Sequence, residues 1–271
     1  MNQTQNAYDN VEFIDKISKY QRTNDNDLIL KSKIPSIVNG GKVIDFGCGD
    51  GWFCREAIKR GANSVIGIDI SKNSIDINNL ENKDSKIKYL VKDLETFKTL
   101  NNNNNSSINN NNNDDDSQLI NDSFDFAFSA YVTHYLSDLE SFFNKVYKLL
   151  KSNNGSSFLF STEHPMRTST KCIENKFIDH KFEGDEIVKK VWPIANYNEQ
   201  GRRVFNWLDY KGIVKYHYTI ETYINTLIKV GFKIDYLGEI EFSTSEFKFN
   251  KSEPQFTEKD RPYALFIKVS K

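Results

Sequence analysis

Cysteine, proline and methionine are all scarce in this 271-residue chain, with three, five and two residues respectively. Cys48, Cys54 and Cys172 cannot all pair, and no C-x-x-C occurs. That argues against a disulfide framework, a cysteine-rich metal site and an oxidising compartment. An excess of one charge is also missing: 36 Lys and Arg face 37 Asp and Glu, a formal charge of -1. Without a basic surplus there is little to release counterions from a phosphate backbone, so a nucleic-acid partner is not expected. No stretch approaches 18 consecutive apolar residues, and the opening MNQTQNAYDN has neither a basic nor an apolar block. Membrane insertion and secretion are therefore disfavoured, and a cytoplasmic protein is the expectation.

What the chain does have in quantity is asparagine, concentrated in NNNNNSSINNNNNDDDSQLIND at 101–122. Such a run can bury almost nothing and reads as a disordered surface insertion. The remaining residues, about 250, are enough for one well-filled domain spanning 1–271. Apolar, β-branched runs at 43–46, 65–70, 87–91, 124–129 and 157–161 suit strands buried on both faces of a parallel sheet. Helical patterns separate them. Residues 52–60 run up to Gly61; Ser71 caps 72–80, with Ile75 and Leu80 facing inward; Ser137 and Glu140 have capping-box spacing before Leu139, Phe142, Phe143 and Val146. Thr219 caps a last helix that stops at Gly231. The alternation predicts an α/β, doubly wound sheet of seven mostly parallel strands, closed by C-terminal strands at 232–242 and 263–269. A helical segment over 1–35 (Val11, Phe13, Ile14, Ile17) and a cap over 162–216 stand outside this rhythm.

The most informative stretch is Val43-Ile44-Asp45-Phe46-Gly47-Cys48-Gly49-Asp50-Gly51, a strand, then G-x-G-x-G, then a helix. Glycines allow the tight turn and let a ligand touch backbone, and the helix start offers free N–H groups. Asp69 closes the second strand, where a carboxylate can accept both ribose hydroxyls. A dinucleotide fingerprint would need glycine where Trp52 stands, and Asp45 and Asp50 would repel a pyrophosphate. A cationic nucleoside without phosphate fits better, and a nicotinamide oxidoreductase is set aside on that ground.

These residues resemble the class I, seven-strand S-adenosylmethionine-dependent methyltransferases. DFGCGDG matches that family's first motif, VIGIDIS (65–71) its second, LVKDLETF (90–97) its third, SFDFAFSAYVTHYL (123–136) its fourth and LLKSNNGSSFLFS (149–161) its fifth. The resemblance implies S-adenosylmethionine as cofactor, with Asp45, Gly47, Cys48, Gly49 and Gly51 around its amino-acid part and Asp69 on the ribose. It further implies Ile70, Asp93 and Leu94 at the adenine and Ser129 near the methyl group. STEHP and KYHYTIETY are similar to a type 11/12-like subgroup in which EHP follows the fifth strand.

Methyl transfer from a sulfonium needs position and dryness, and a base only when the acceptor carries a proton on the attacking atom. Candidate groups for that work are His134, Glu163 and His164, with His217 behind them. For each histidine a structural hydrogen bond competes with a chemical role. Trp192, Tyr197, Trp207 and Tyr210 are candidate walls for a substrate. The motifs of DNA amino-methyltransferases, protein-arginine methyltransferases and metal-dependent catechol-type enzymes are not found, and no metal is expected. What remains is methylation of a small molecule on O or N; the alternative is a non-catalytic cofactor-binding subunit that supports a partner protein. Oligomeric state is not legible.

Overall fold

The computed structural model describes residues 9, 32–101, 118–152, 155–171, 178–180, 189–191, 194–207, 210–241 and 262–271. The expected N-terminal helix, most of the asparagine-rich tract, Cys172 and Trp192 lie outside them. The near end of the tract is ordered: Leu119 is fully buried, and Leu100 bridges to Ile120.

Seven strands form one sheet in the order β10-β11-β5-β4-β1-β2-β3. β1 (Lys42–Phe46), β2 (Ser64–Asp69), β3 (Ile87–Val91), β4 (Phe126–Ala130) and β5 (Ser157–Glu163) are parallel. β11 (Pro262–Ser270) inserts antiparallel between β5 and β10 (Lys233–Glu241). Two hairpins lie outside the sheet, β6 (Ile178–His180) with β7 (Lys189–Val191) and β8 (Gly201–Trp207) with β9 (Tyr210–His217). The cap over 162–216 is thus partly built of strands.

Side chains alternate between the two faces, as the period of two in a strand requires. Val43, Val65, Phe126, Phe128 and Leu159 pack with Phe53, Cys54 and Ala57 of α1 (Trp52–Lys59) and Ile75 of α2 (Lys72–Glu81). Ile44, Phe46, Ala127, Phe158 and Phe160 pack on the other face with Phe142, Phe143 and Val146 of α3 (Leu139–Leu149) and Tyr223 and Leu227 of α5 (Ile220–Val230).

Helix boundaries follow local chemistry. The Ser71 and Thr219 side chains accept from Ser74 N–H and Thr222 N–H, and Gly231 ends α5 in the left-handed conformation. Two expectations need correction. The cap of α3 is Asp138, whose carboxylate accepts from Ser141 N–H, because both the N–H and the hydroxyl of Ser137 are taken by Glu95 Oε1. Leu80 faces outward at 85% exposure, since only the Ile75 side of α2 meets the sheet.

Candidate functional site

β1 delivers the chain into the glycine loop at the carboxyl edge of the sheet. Gly47 N–H and Cys48 N–H both donate to Ile68 O, at 2.7 and 3.0 Å, which pins the loop to β2. Gly47 has φ +72°, and a Cβ there would lie 2.3 Å from Val132 Cγ2, so glycine is required for conformation and for space. At Gly49, φ +51°, a Cβ would meet nothing within 4 Å: this face of the loop is open. Gly49 N–H donates to Asp69 Oδ2 at 2.9 Å, and Gly49 O accepts from Asn78 Nδ2 at 2.7 Å. Gly51 begins α1, and Asp50 accepts from Trp52 N–H, so the loop acid also serves the helix start.

Asp69 is almost fully buried at the end of β2. Its Oδ1 accepts from Ser71 N–H at 2.8 Å while Oδ2 takes Gly49 N–H. Burial raises the Asp69 pKa; the backbone N–H groups of Ser71, Gly49 and Ile70 work against that rise. A carboxylate has about four lone-pair sites, so Asp69 retains capacity to accept from a ribose hydroxyl. Lys92 N–H donates to Asp69 O, placing Asp93 and Leu94 just past the end of the neighbouring strand β3. Asp93 Oδ1 accepts from Glu95 N–H, forming a closed turn that holds the buried Leu94 in place.

Three cofactor candidates occupy inward positions. Asp45 is buried, accepts from Cys54 Sγ at 3.4 Å, and is pushed up to about 8 by burial. The Cys48 thiol also faces inward, where burial raises its pKa. Ser129 is fully buried and donates to Phe46 O at 2.9 Å, tying β4 to β1 rather than facing a cavity.

The second cluster sits beyond β4 and β5. Tyr131 follows β4 with φ +57°, a strained value for an aromatic residue and common near functional sites. His134, 2% exposed on the 133–135 turn, accepts Glu163 N–H at Nδ1 (3.4 Å), with Thr162 Oγ1 at 3.2 Å. Tyr223 OH lies 3.2 Å from Thr162 Oγ1. Burial lowers the His134 pKa to about 3, so the ring is neutral. Because Nδ1 is an acceptor in the Glu163 contact, the proton of the neutral ring is on Nε2.

Glu163, at the end of β5, binds Lys215 of β9 through an Oε1–Nζ contact of 2.7 Å, with both side chains nearly buried. Burial alone would raise the Glu163 pKa, but Lys215 and Arg167 hold it well below the carboxylate range. Burial lowers the Lys215 pKa against the pull of Glu163. Arg167, on the short α4 (Pro165–Thr168), lies over the Tyr263 ring at 4.1 Å. Sequence reasoning missed Lys215 and Arg167. The signals were present, Lys215 inside the quoted KYHYT and Arg167 three residues after the EHP histidine, yet neither differs on its face from a surface cation.

His164 and His217 have structural duties. His164 accepts Met166 N–H at Nδ1, capping α4, and its Nε2 lies 2.9 Å from Glu239 Oε1. His217 lies 2.8 Å from Thr168 Oγ1 through Nδ1 and donates to Tyr197 O at 2.8 Å through Nε2. The fold thus brings His134 and Glu163 together and engages both ring nitrogens of His164.

A seven-stranded sheet with this order, a glycine loop after β1 and an acid closing β2 define a Rossmann-like, class I S-adenosylmethionine-dependent methyltransferase. The chain belongs to the methyltransferase-domain family, whose model matches residues 4–237. It is similar to an S-adenosylmethionine-dependent methyltransferase of Mesorhizobium loti, 30% identical, over 90% of this chain and 96% of that one, with a TM-score of 0.71. A Listeria monocytogenes structure, proposed to be an enzyme of the same kind, is 28% identical over 89% of this chain and 95% of its own, TM-score 0.67. An uncharacterized Haemophilus influenzae protein is 27% identical over 100% of this chain and 99% of its own length.

The site's residues fit S-adenosylmethionine: open space lies over Gly49, and Asp69 keeps acceptor capacity beside it. No described helix is long and apolar enough to cross a membrane. Among the described residues, no group of three or more His, Cys, Asp or Glu is placed to hold a metal ion.

Proposed function

We propose that this methyltransferase acts on a small organic molecule, at an oxygen or nitrogen atom. One observation carries the reading. The β8–β9 hairpin buries Lys215 against Glu163 at the carboxyl end of β5, so the chain's own cap packs over that end of the sheet. A sheet end covered in this way suits a compact acceptor better than a polymer.

In this reading the backbone of Gly47, Cys48, Gly49 and Gly51 holds the cofactor's amino-acid part, Asp69 the ribose, and Ile70, Asp93 and Leu94 the adenine. Asp45 supports the loop from beneath, through Cys54. The cofactor supplies the methyl electrophile, and the protein orients the acceptor and excludes water. His134 and Glu163 line the acceptor side; His164 shapes that side by capping α4. Free, buried thiols at Cys48 and Cys54 are in keeping with a reduced, cytoplasmic setting.

Two measurements test the proposal. Calorimetric titration with S-adenosylhomocysteine should show binding that Asp69→Ala weakens about 100-fold, the equivalent of two charge-assisted hydrogen bonds. Methyl-labelled cofactor incubated with separated extract fractions should label the low-molecular-weight fraction. Label confined to protein or RNA would refute the small-molecule reading, and unchanged affinity in Asp69→Ala would refute the cofactor placement.

A further inference from the structure

We propose that Asn78 of α2 is a positioning residue for cofactor binding, clamping the carbonyl of Gly49 so that the glycine loop and the Asp69 carboxylate are set before the ligand arrives. The inference rests on the cofactor placement above and adds to it a residue outside the glycine loop and the strand ends.

Asn78 stands where an apolar side chain would be expected. It lies one turn beyond Ile75 on the same side of α2, and both are 2% exposed, whereas Ile77 and Leu80 turn outward. Ile75 fills the apolar layer between α2 and the sheet. Asparagine is a poor helix former, and its amide is costly to bury unless it finds hydrogen bonds. The fold uses that amide: Nδ2 donates to Gly49 O at 2.7 Å, 29 positions back in the chain. A carbonyl oxygen only accepts, so the NH2 end of the amide must face it.

Gly49 is then held from both sides. Its N–H belongs to the peptide shared with Cys48 and donates to Asp69 Oδ2 at 2.9 Å. Its carbonyl belongs to the peptide shared with Asp50 and accepts from Asn78. The two contacts fix φ and ψ of a residue that has no Cβ, sits at φ +51° and has open space where a Cβ would lie. Glycine loses more freedom on ordering than any other residue, so a loop that had to be ordered by its ligand would bind that ligand more weakly.

The start of α2 carries the other half of the arrangement. Asp69 Oδ1 accepts from Ser71 N–H at 2.8 Å, and the Ser71 hydroxyl accepts from Ser74 N–H at 3.1 Å. Asp9 fixes this end of the helix: its Oδ1 accepts from Asn73 N–H at 3.1 Å and from the Ser71 hydroxyl at 3.3 Å, and its carbonyl accepts from Asn73 Nδ2. A closed ring results, from Gly49 N–H to Asp69, through Ser71 and about two turns of α2 to Asn78, and back to Gly49 O. One oxygen of Asp69 is oriented through Ser71 and the other through Gly49. Removing the Asn78 amide opens the ring at the loop and leaves the contacts of Asp9 and Ser71 in place.

The test uses the full chain and S-adenosylhomocysteine. Asn78→Leu has nearly the same size and no donor; calorimetric titration should show affinity about tenfold weaker than wild type, the effect of a lost polar contact whose acceptor is left unpaired. Ile75→Val is the control: it loosens the packing of the same helix face without touching the loop, and should leave affinity within about twofold of wild type. Amide hydrogen exchange followed by NMR supplies a readout that a purely structural Asn78 would not move. In the ligand-free state the Gly49 amide should exchange about tenfold faster in Asn78→Leu than in wild type, while the Gly67 amide, in β2 between β1 and β3, should exchange alike in both. If Asn78→Leu fails to fold, exchange in the wild type decides: a Gly49 amide exchanging at the rate of a free peptide would mean a loose loop and overturn the proposal. Unchanged affinity in folded Asn78→Leu, an equal loss in Ile75→Val, or an equal rise in exchange at Gly49 and Gly67 also overturns it. Unchanged affinity in Asp69→Ala, by contrast, defeats the cofactor placement itself, so the two failures are told apart.

Discussion

The two ends of the site treat buried carboxylates in opposite ways. On the cofactor side, Asp45 is held by a thiol and Asp69 by backbone N–H groups, and burial raises both pKa values. On the acceptor side, Glu163 is equally buried, yet a lysine and an arginine hold it ionised. In the first environment neither Asp45 nor Asp69 is paired with a cation among the described residues, which suits a ligand that brings positive charge. The second carries its own cations, so its carboxylate stays charged without a ligand.

The sharpest way to break this contrast is to remove one member of the Glu163–Lys215 pair. Glu163→Gln or Lys215→Met leaves the other charge buried and should cost about 3–5 kcal/mol of stability, measured by urea denaturation. The double variant Glu163→Leu/Lys215→Met should recover most of that loss, because a buried pair replaced by apolar groups avoids desolvation. If the single variants cost less than 1 kcal/mol, the pair is solvated and the contrast fails.

A second prediction uses the sign of the shifts. Asp45 has a folded pKa near 8 against an ordinary 3.8, so the folded state holds a proton that the unfolded chain releases. Its stabilising contribution is complete below the ordinary value and is lost as pH rises toward 8. Between pH 5 and pH 7 the loss should reach roughly 2–3 kcal/mol, and Asp45→Asn should lack it. Glu163 runs the other way: its contribution is present above the ordinary carboxylate value and is lost as pH falls below it. Chemical denaturation of wild type and Asp45→Asn at both pH values checks this through the difference between the two proteins. A constant difference would mean that Asp45 is ionised throughout.

The two ends also differ in how far they could be read from sequence. The cofactor side is assembled between residues 45 and 94, where each motif is a strand, a turn and the start of a helix, so spacing nearly dictates contact. Gly49 and Asp69 meet because β1 and β2 are adjacent and parallel. All seven sheet strands were legible for the same reason, as apolar runs with turn residues between them. The acceptor side depends on Lys215 meeting Glu163 across 52 positions, through a hairpin whose strands, GRRVFNW and YKGIVKYH, lack a continuous apolar signature. Histidine was the stronger chemical signal there. The fold nevertheless uses both nitrogens of His164 and His217 to hold the chain, and gives the ionic work to a lysine.

The smallest predicted effect separates structure from function on the two sides. Ser71 and Thr219 are equivalent helix caps, each accepting one N–H from the first turn, and alanine at either should cost about 1 kcal/mol. Ser71, however, also donates its own N–H to Asp69 Oδ1, so its backbone geometry sets the position of the Asp69 carboxylate. Ser71→Ala keeps that N–H but loosens the turn carrying it, and should weaken S-adenosylhomocysteine about threefold. Thr219→Ala, at the start of α5 on the other side of the molecule, should lower stability equally and leave cofactor affinity unchanged. Equal losses of affinity in both variants would mean that general loosening of the fold, rather than the placement of Asp69, controls cofactor binding.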